Sequence, residues 1–139
     1  MNVIHAINTA KAFDLAGDRC SEPRPVSENQ FEMLAVPAIV CRAFAAEVGL
    51  KALLLHAGGT PRGHDLHALF RQQSEEVRDS ITAATALPAA AFDRELASVA
   101  HAFVEWRYVF ETARAAINLN FLSNFSKAII NALPHIPTA

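Results

Sequence analysis

The sequence has few of the features that mark a secreted, membrane-spanning or metal-stabilised protein. Its two cysteines, Cys20 and Cys41, lie in separate predicted elements, so we expect two reduced thiols rather than a disulfide framework or a zinc site. No apolar run has membrane-spanning length, because Glu47 and Lys51 interrupt the most apolar stretch. The first residues lack the basic segment and continuous apolar core of a secretory signal. These absences predict a soluble cytoplasmic domain that makes no membrane contact.

Excess positive charge is also absent. The 139 residues carry 12 Lys and Arg against 14 Asp and Glu, a net charge of −2, which does not favour tight, sequence-independent binding to a phosphate backbone. Nine of the basic residues are Arg, however, and individual guanidinium groups can still bind anions. Because 52% of the residues are hydrophobic and 19% are charged, the composition excludes a disordered segment.

Glycine is absent after Gly63, and no stretch of useful length alternates apolar and polar residues as a strand would. Apolar residues instead recur every three or four positions, which is typical of amphipathic helices. We therefore predict an all-α fold, a four- to five-helix up-and-down bundle in which residues 1–139 form a single domain.

The N-terminal region is predicted to be the least regular part of this bundle. A short, weakly determined helix is expected over residues 1–16, followed by a loop that begins at Gly17. Ser27 and Gln30 form a capping-box pattern, which predicts that the first long helix starts here.

That first long helix is expected to run to about His56. Pro37 lies inside the predicted span and should kink it. Gly58 and Gly59 should end the helix in a left-handed C-terminal cap.

The second half of the chain supplies the remaining helices. Asp65 is predicted to cap a short helix, and a polar helix should follow around residues 74–86. A long helix is expected from residue 88 to about 115, and a last one from 118 to 133.

Two segments carry a resemblance to a known family. "AFAAEVGLKALLLHAGGTPRGHDLHALFRQQ" (43–73) and "AFVEWRYVFE" (102–111) resemble the two long helices and the glycine-containing corner of HEPN domains (higher eukaryote and prokaryote nucleotide-binding domains). The resemblance covers about residues 28–133. It implies an all-helical, usually dimeric fold, and members that bind nucleotides, act as scaffolds, or cut RNA without a metal in toxin–antitoxin or defence systems.

The resemblance also implies a test for nuclease activity, since nuclease members carry an Arg followed, after four to six residues, by a His. Arg107 occupies the expected place, but Thr, Ala and Arg stand at positions 112–114. Two other pairs match the spacing, Arg94 with His101 and Arg62 with His67, which is close to the number expected by chance. If the first pair shares a helix face, Arg94 could hold a phosphate while His101 moves a proton.

The histidines of the corner have two interpretations. His64 and Asp65 could form a catalytic dyad, or His64 could bind a metal with His67. Alternatively, the segment is a helix-to-helix corner in which Gly63 permits the turn, Asp65 accepts hydrogen bonds from the first helical amides, and His64 bonds to the backbone. The corner is the favoured interpretation, because the further carboxylate or Cys cluster of a metal site is missing. We predict neither a metal nor a cofactor.

Arg107 also has two interpretations. As a structural residue it would form an ion pair with Glu111 four residues on, or with Glu47 on the other long helix. As a functional residue it would be an anion fork for a phosphate group. Glu47 and Lys51 should pair within their helix, and Trp106 with its neighbouring Phe residues should belong to the core.

Together these patterns predict a HEPN-like protein that binds a nucleotide or RNA through Arg107, with Arg62 and His64 as neighbours. It would be a homodimer formed through its long helices, a non-catalytic accessory or antitoxin-type module with a possible protein partner. The alternative is a metal-independent endoribonuclease that uses Arg94 and His101. A pure interaction module is a third possibility.

Overall fold

The computed structural model describes residues 2–109 and 116–135. The helices are α1 (Val3–Cys20), α2 (Ala35–His56), α3 (Leu66–Arg71), α4 (Glu75–Ala84), α5 (Ala89–Val99), α6 (Ala102–Arg107) and α7 (Leu119–Ala132), and a hairpin of β1 (Arg24–Ser27) and β2 (Gln30–Glu32) lies between α1 and α2. The predicted all-α bundle is confirmed, with more and shorter helices than expected. No helix in these described ranges is long and apolar enough to cross a membrane.

Helix α1 is longer and more firmly packed than the weak helix predicted over residues 1–16. Its last turn contains Gly17, which was wrongly predicted to start a loop. The physical reason is packing, because a Cβ atom at this position would lie 2.8 Å from the Cδ atom of Arg42 in α2. The side chains that α1 buries against α2 are Ala6, Ile7 and Ala10.

An ionic cluster joins α1 to α2 and α7. Arg42 donates from Nη1 to Oδ1 of Asp14 at 2.7 Å and from Nη2 to Oδ1 of Asp18 at 2.5 Å. Ser126 and Lys127 of α7 donate to the carboxylate of Asp14 as well. Asp14, Arg42 and Ser126 are buried, so these charges are compensated by one another and fix where α1 lies.

The capping box predicted at Ser27 and Gln30 is wrong, because these two residues pair across the β1–β2 hairpin. Helix α2 begins later, at Ala35, so Pro37 lies in its first turn. An amide N–H there has no partner within a helix, so a proline is tolerated and the predicted kink is absent.

The end of α2 confirms the predicted glycine cap. Gly58 has a φ of +91°, a left-handed conformation that side chains with a Cβ adopt rarely. Its N–H donates to the Leu55 carbonyl at 3.0 Å, and the Gly59 N–H donates to the Leu54 carbonyl at 2.8 Å. These two bonds form a Schellman motif, which satisfies the last carbonyls of the helix.

The continuous helix predicted from 88 to 115 is wrong. It is divided into α5 and α6 at Ala100 and His101, where the Ala100 carbonyl accepts a hydrogen bond from the Leu66 N–H at 2.8 Å. The N–H group that makes this contact belongs to the start of α3. Nothing in the sequence of residues 88–115 indicates that a contact from another helix will interrupt them. Residues 110–115, Glu111 among them, lie outside the described ranges.

Helix α2 is the central element, in contact with α1, α3, α6 and α7. Gly49 allows α7 to approach closely, since a Cβ atom there would lie 2.5 Å from Cγ2 of Ile129. The main core contains the aromatic cluster Phe70, Phe92, Phe121 and Phe125. The predicted last helix, 118–133, is confirmed as α7.

Candidate functional site

The corner between α2 and α3 has the backbone that the sequence predicts. Gly63 has a φ of +91° and permits the turn. Asp65 is the N-cap of α3, and its carboxylate accepts from the Ala68 N–H at 3.0 Å. The structural role predicted for Asp65 is therefore confirmed.

The predicted partner of His64 is wrong. Its Nδ1 atom does not bond to the backbone or to Asp65 but lies 2.9 Å from Oε1 of Glu47 in α2. His67 does not join it as a metal ligand, since its Nε2 atom is 2.8 Å from Oδ1 of Asp93 in α5. In the described ranges no three His, Cys, Asp or Glu side chains are grouped in a way that could hold a metal ion.

Glu47 is the buried residue of this arrangement. Its side chain is 3% exposed and accepts from Nζ of Lys51 at 3.3 Å, so the predicted pair within the helix is confirmed. The second carboxylate oxygen faces His64. An ionised carboxylate only accepts hydrogen bonds, so in a contact with ionised Glu47 the Nδ1 atom of His64 is the donor.

The His64 side chain is more than half exposed. Among the described residues its Nε2 atom has no hydrogen-bond partner. A buried carboxylate that orients an imidazole with an accessible second nitrogen is the arrangement of a general base. The arrangement therefore fixes an imidazole that is 56% exposed against a buried carboxylate.

Phe103 of α6 connects His64 with Arg107. The His64 and Phe103 rings lie 6.2 Å apart between centroids, and Cζ of Arg107 lies 4.8 Å from the centroid of Phe103, one helical turn earlier. The same guanidinium lies 5.1 Å from the ring of Tyr108. Phe103 and Trp106 also pack against the core, as predicted, while Phe110 lies outside the described ranges.

Arg107 is exposed, and within residues 2–109 and 116–135 no carboxylate pairs with it. The predicted interhelical pair with Glu47 is wrong, because that carboxylate is occupied by Lys51 and His64. The alternative pair with Glu111 lies outside the described residues. The guanidinium instead lies close to the rings of Phe103 and Tyr108.

The structure does not join the other predicted site residues to this surface. Arg94 is exposed on α5, which ends at Val99, so it shares no helix with His101. His101 lies in the α5–α6 break, with Nε2 3.8 Å from Oδ2 of Asp65. Arg62 is exposed in the corner without a recorded contact to His64. The shared helix face predicted for Arg94 and His101 is therefore wrong, and their catalytic role stays a prediction.

The contact that sequence reasoning missed is Glu47 with His64, although the sequence contains a signal for it. Glu47 and Lys51 are charged residues within a very apolar helix, and buried charges require partners. A carboxylate has room for more than one donor. A polar residue in the corner that follows α2 was therefore the natural candidate for a second partner of Glu47.

Comparison with known proteins identifies the family of this sequence. Residues 28–132 match the family model of the HEPN domain, which leaves α1 and β1 before the matched region. Neither the curated proteins nor the solved structures that were compared include a significant match. HEPN domains are associated with nucleotide or RNA binding or with ribonuclease activity. Because the match covers most of its length, the chain belongs to the HEPN domain family.

Proposed function

We propose that this HEPN domain binds single-stranded RNA or a nucleotide on the surface formed by His64, Phe103, Arg107 and Tyr108, which we call the His64–Arg107 surface. The observation that carries the proposal is the position of Arg107, whose guanidinium is stacked 4.8 Å from the Phe103 centroid and exposed to solvent. A guanidinium binds phosphate oxygens through two parallel N–H groups.

The neighbours of Arg107 suit the other parts of a nucleotide. Tyr108 is 49% exposed, and bases of single strands stack on aromatic rings and on guanidinium planes. His64 provides a polar group close to the same Phe103 ring, held by its contact with Glu47. Because the net charge is −2, we expect binding through a few such contacts rather than through an extended basic surface along a nucleic-acid duplex.

In this proposal the domain is an accessory or antitoxin-type module that acts as a homodimer. The support for a non-catalytic role is that Thr, Ala and Arg, rather than His, stand at positions 112–114 after Arg107. Binding without cleavage requires only the guanidinium of Arg107 and the aromatic rings on which a base can stack.

Replacing Arg107 by Ala is expected to raise the Kd for a short fluorescein-labelled RNA by about ten- to a hundredfold, because a charge-assisted contact is lost. The melting temperature should be unchanged, since the side chain is exposed. Fluorescence anisotropy and thermal unfolding measure the two quantities. Arg107→Lys keeps the charge without the planar fork and should bind with intermediate affinity.

The matched control is Arg71→Ala, which removes an exposed Arg at the end of α3 and should leave the Kd unchanged. An unaltered Kd in Arg107→Ala would contradict the proposal. A lower melting temperature with a normal Kd would instead support a structural ion pair.

RNA cleavage is a second candidate function, favoured by the Glu47–His64 contact. Nε2 of His64 would take the proton of a 2′-hydroxyl, whose oxygen attacks the adjacent phosphorus. The bond from phosphorus to the 5′-oxygen then breaks, and that oxygen takes a proton from solvent. Arg107 would stabilise the charge on the phosphate oxygens.

For this second function we expect labelled RNA to be cut in EDTA and the cutting to fall by about a hundredfold or more in His64→Ala, the range typical of a lost general base. Product analysis by gel electrophoresis would show 2′,3′-cyclic phosphate ends. RNA left intact by the wild-type protein would exclude it. Loss of cutting in Arg94→Ala or His101→Ala, with His64→Ala still active, would support the pair predicted from the sequence.

A further inference from the structure

The two cysteines lie where α1 and α2 pack against each other. The rings of Phe13 and Phe44 are 4.6 Å apart between centroids. The Cys20 carbonyl accepts from the N–H of Leu34, the residue before α2, at 3.1 Å. Cys20 comes seven residues after Phe13, and Cys41 comes three residues before Phe44. Because residues at these spacings share a helix face, the antiparallel register of the two helices places Cys20 beside Cys41.

Small residues allow these two helices to approach closely. At Gly17 a Cβ atom would lie 2.8 Å from Cδ of Arg42. At Gly49 it would lie 3.8 Å from Cβ of Ala10. Helix axes about 8–10 Å apart bring facing Cα atoms within the separation of about 4.4–6.8 Å that a disulfide requires, and small residues favour the shorter spacing. The packing of α1 on α2 therefore suits a bond between the two cysteines.

The two thiols are free, partly buried and in contact. Burial raises the pKa of the Cys41 thiol, and the charge of Cys20 and a side-chain hydrogen bond with it raise this pKa further, against the opposite effect of Arg42. The surroundings of Cys41 therefore favour its protonated form, as expected of the thiol that reacts second.

Cys20 is the cysteine of the pair that a small molecule meets first. It lines an open cavity of about 280 Å³ at the end of α1. The charged residues that share this cavity are Arg19, Glu22, Arg24 and Glu32. Guanidinium groups bind carboxylates in a forked geometry, and carboxylates attract ammonium groups. The cavity therefore suits a small molecule that carries both kinds of charged group.

We propose that Cys20 and Cys41 form a redox-active pair, which a small charged disulfide such as glutathione disulfide converts into an intramolecular disulfide. After losing its proton, Cys20 attacks one sulfur of glutathione disulfide, whose S–S bond breaks, and the departing thiolate takes up a proton. Cys41 then gives its proton to solvent and attacks Sγ of Cys20, which releases the second glutathione. Two protein thiols are oxidised while one glutathione disulfide is reduced to two thiols, and excess thiol reverses the reaction.

Mass spectrometry after acid quenching and maleimide labelling tests the proposal. The reduced protein should carry two labels. After incubation with excess glutathione disulfide, the folded protein should carry none and weigh less than the reduced chain by two hydrogen atoms, and dithiothreitol should restore both labels. Cys41→Ser should stop at a mixed disulfide between Cys20 and glutathione, whereas Cys20→Ser should keep its single label for longer. Two labels on the oxidised wild-type protein, or a mixed disulfide that Cys41 does not resolve, would overturn the proposal.

Thermal unfolding provides a second measurement. A bond between residues 20 and 41 closes a loop that contains the hairpin and so restricts the unfolded chain. The oxidised protein should therefore melt about 5–10 °C above the reduced protein, and dithiothreitol should remove the difference. Cys41→Ser treated in the same way should show no such increase. A lower melting temperature after oxidation would contradict a pair that the fold holds ready to bond.

The charged cavity is tested by a choice of oxidant. Arg24→Ala should slow oxidation by glutathione disulfide by about two- to fivefold, the range of an exposed ion pair, and should leave the rate with the uncharged 2-hydroxyethyl disulfide unchanged. The matched control is Arg71→Ala, which should alter neither rate. Equal slowing with both oxidants would overturn the assignment of a charged disulfide to the cavity. None of these residues belongs to the His64–Arg107 surface, so the outcome does not depend on RNA binding.

Discussion

Arg42→Ala should lower the free energy of unfolding by about 3–5 kcal/mol, the range measured when one partner of a buried ion pair is removed. Arg42 is 4% exposed and is the residue through which Asp14 and Asp18 of α1 are bound to α2. Its loss leaves the buried Asp14 with Lys127 and Ser126 as its remaining side-chain donors. Urea unfolding followed by circular dichroism measures the effect.

The pH dependence identifies the ionic cluster as the cause. Burial alone would raise the pKa of Asp18, but hydrogen bonds from Lys127 and Arg42, and their charges, hold this pKa below its ordinary value of 3.8. The contribution of Asp18 is thus present above pH 3.8 and is lost as the pH falls through the lowered pKa. The difference in stability between the wild-type protein and Arg42→Ala should shrink in that acidic range.

At the alkaline end the sign is reversed. Burial would lower the pKa of Lys127, yet hydrogen bonds to Asp14 and Asp18 raise it above 10.5. Its contribution is complete below pH 10.5 and is lost above the raised pKa. Lys127→Ala is the control for Arg42→Ala, because its half-exposed side chain should contribute less. Equal stability of Arg42→Ala and wild type would contradict the structural role of the cluster.

The parts of the fold that could be predicted are those specified by local sequence. The glycine cap of α2, the N-cap at Asp65 and the extent of α7 each depend on residues within a few positions of one another. The α5–α6 break and the length of α1 depend instead on distant partners, Leu66 and Arg42. No local pattern contains that information.

The contacts of the candidate site also divide into local contacts, which could be predicted, and contacts between distant residues, which could not. Glu47 and Lys51 are four residues apart in one helix, so their pair was predictable. Glu47 and His64 are 17 residues apart and meet only because the corner folds back over α2. Arg107 was recognised as a cation near aromatic residues, but its position over Phe103 rather than beside Glu47 required the packing of α6 on α2.

The ion pair beneath His64 should respond to mutation in a way that separates stability from function. Glu47→Leu alone leaves the ammonium of Lys51 buried without a carboxylate, and Lys51→Met alone leaves His64 as the remaining side-chain partner of Glu47. Each is expected to lower the free energy of unfolding by about 3–5 kcal/mol. The double variant removes both charges and should recover most of that loss, because apolar replacement of a whole buried pair is often close to neutral.

In the stable double variant, His64 has lost the carboxylate that orients it. If the ring contributes to the His64–Arg107 surface, the Kd for short RNA should rise by about three- to tenfold, the value of one net hydrogen bond, while the melting temperature stays near that of the wild type. Any RNA cleavage by His64 should fall further, since a general base must be aligned with its proton. Wild-type affinity and activity in the double variant would mean that Glu47 and Lys51 serve packing alone, whereas a functional loss at unchanged stability identifies Glu47 as the residue that positions the imidazole.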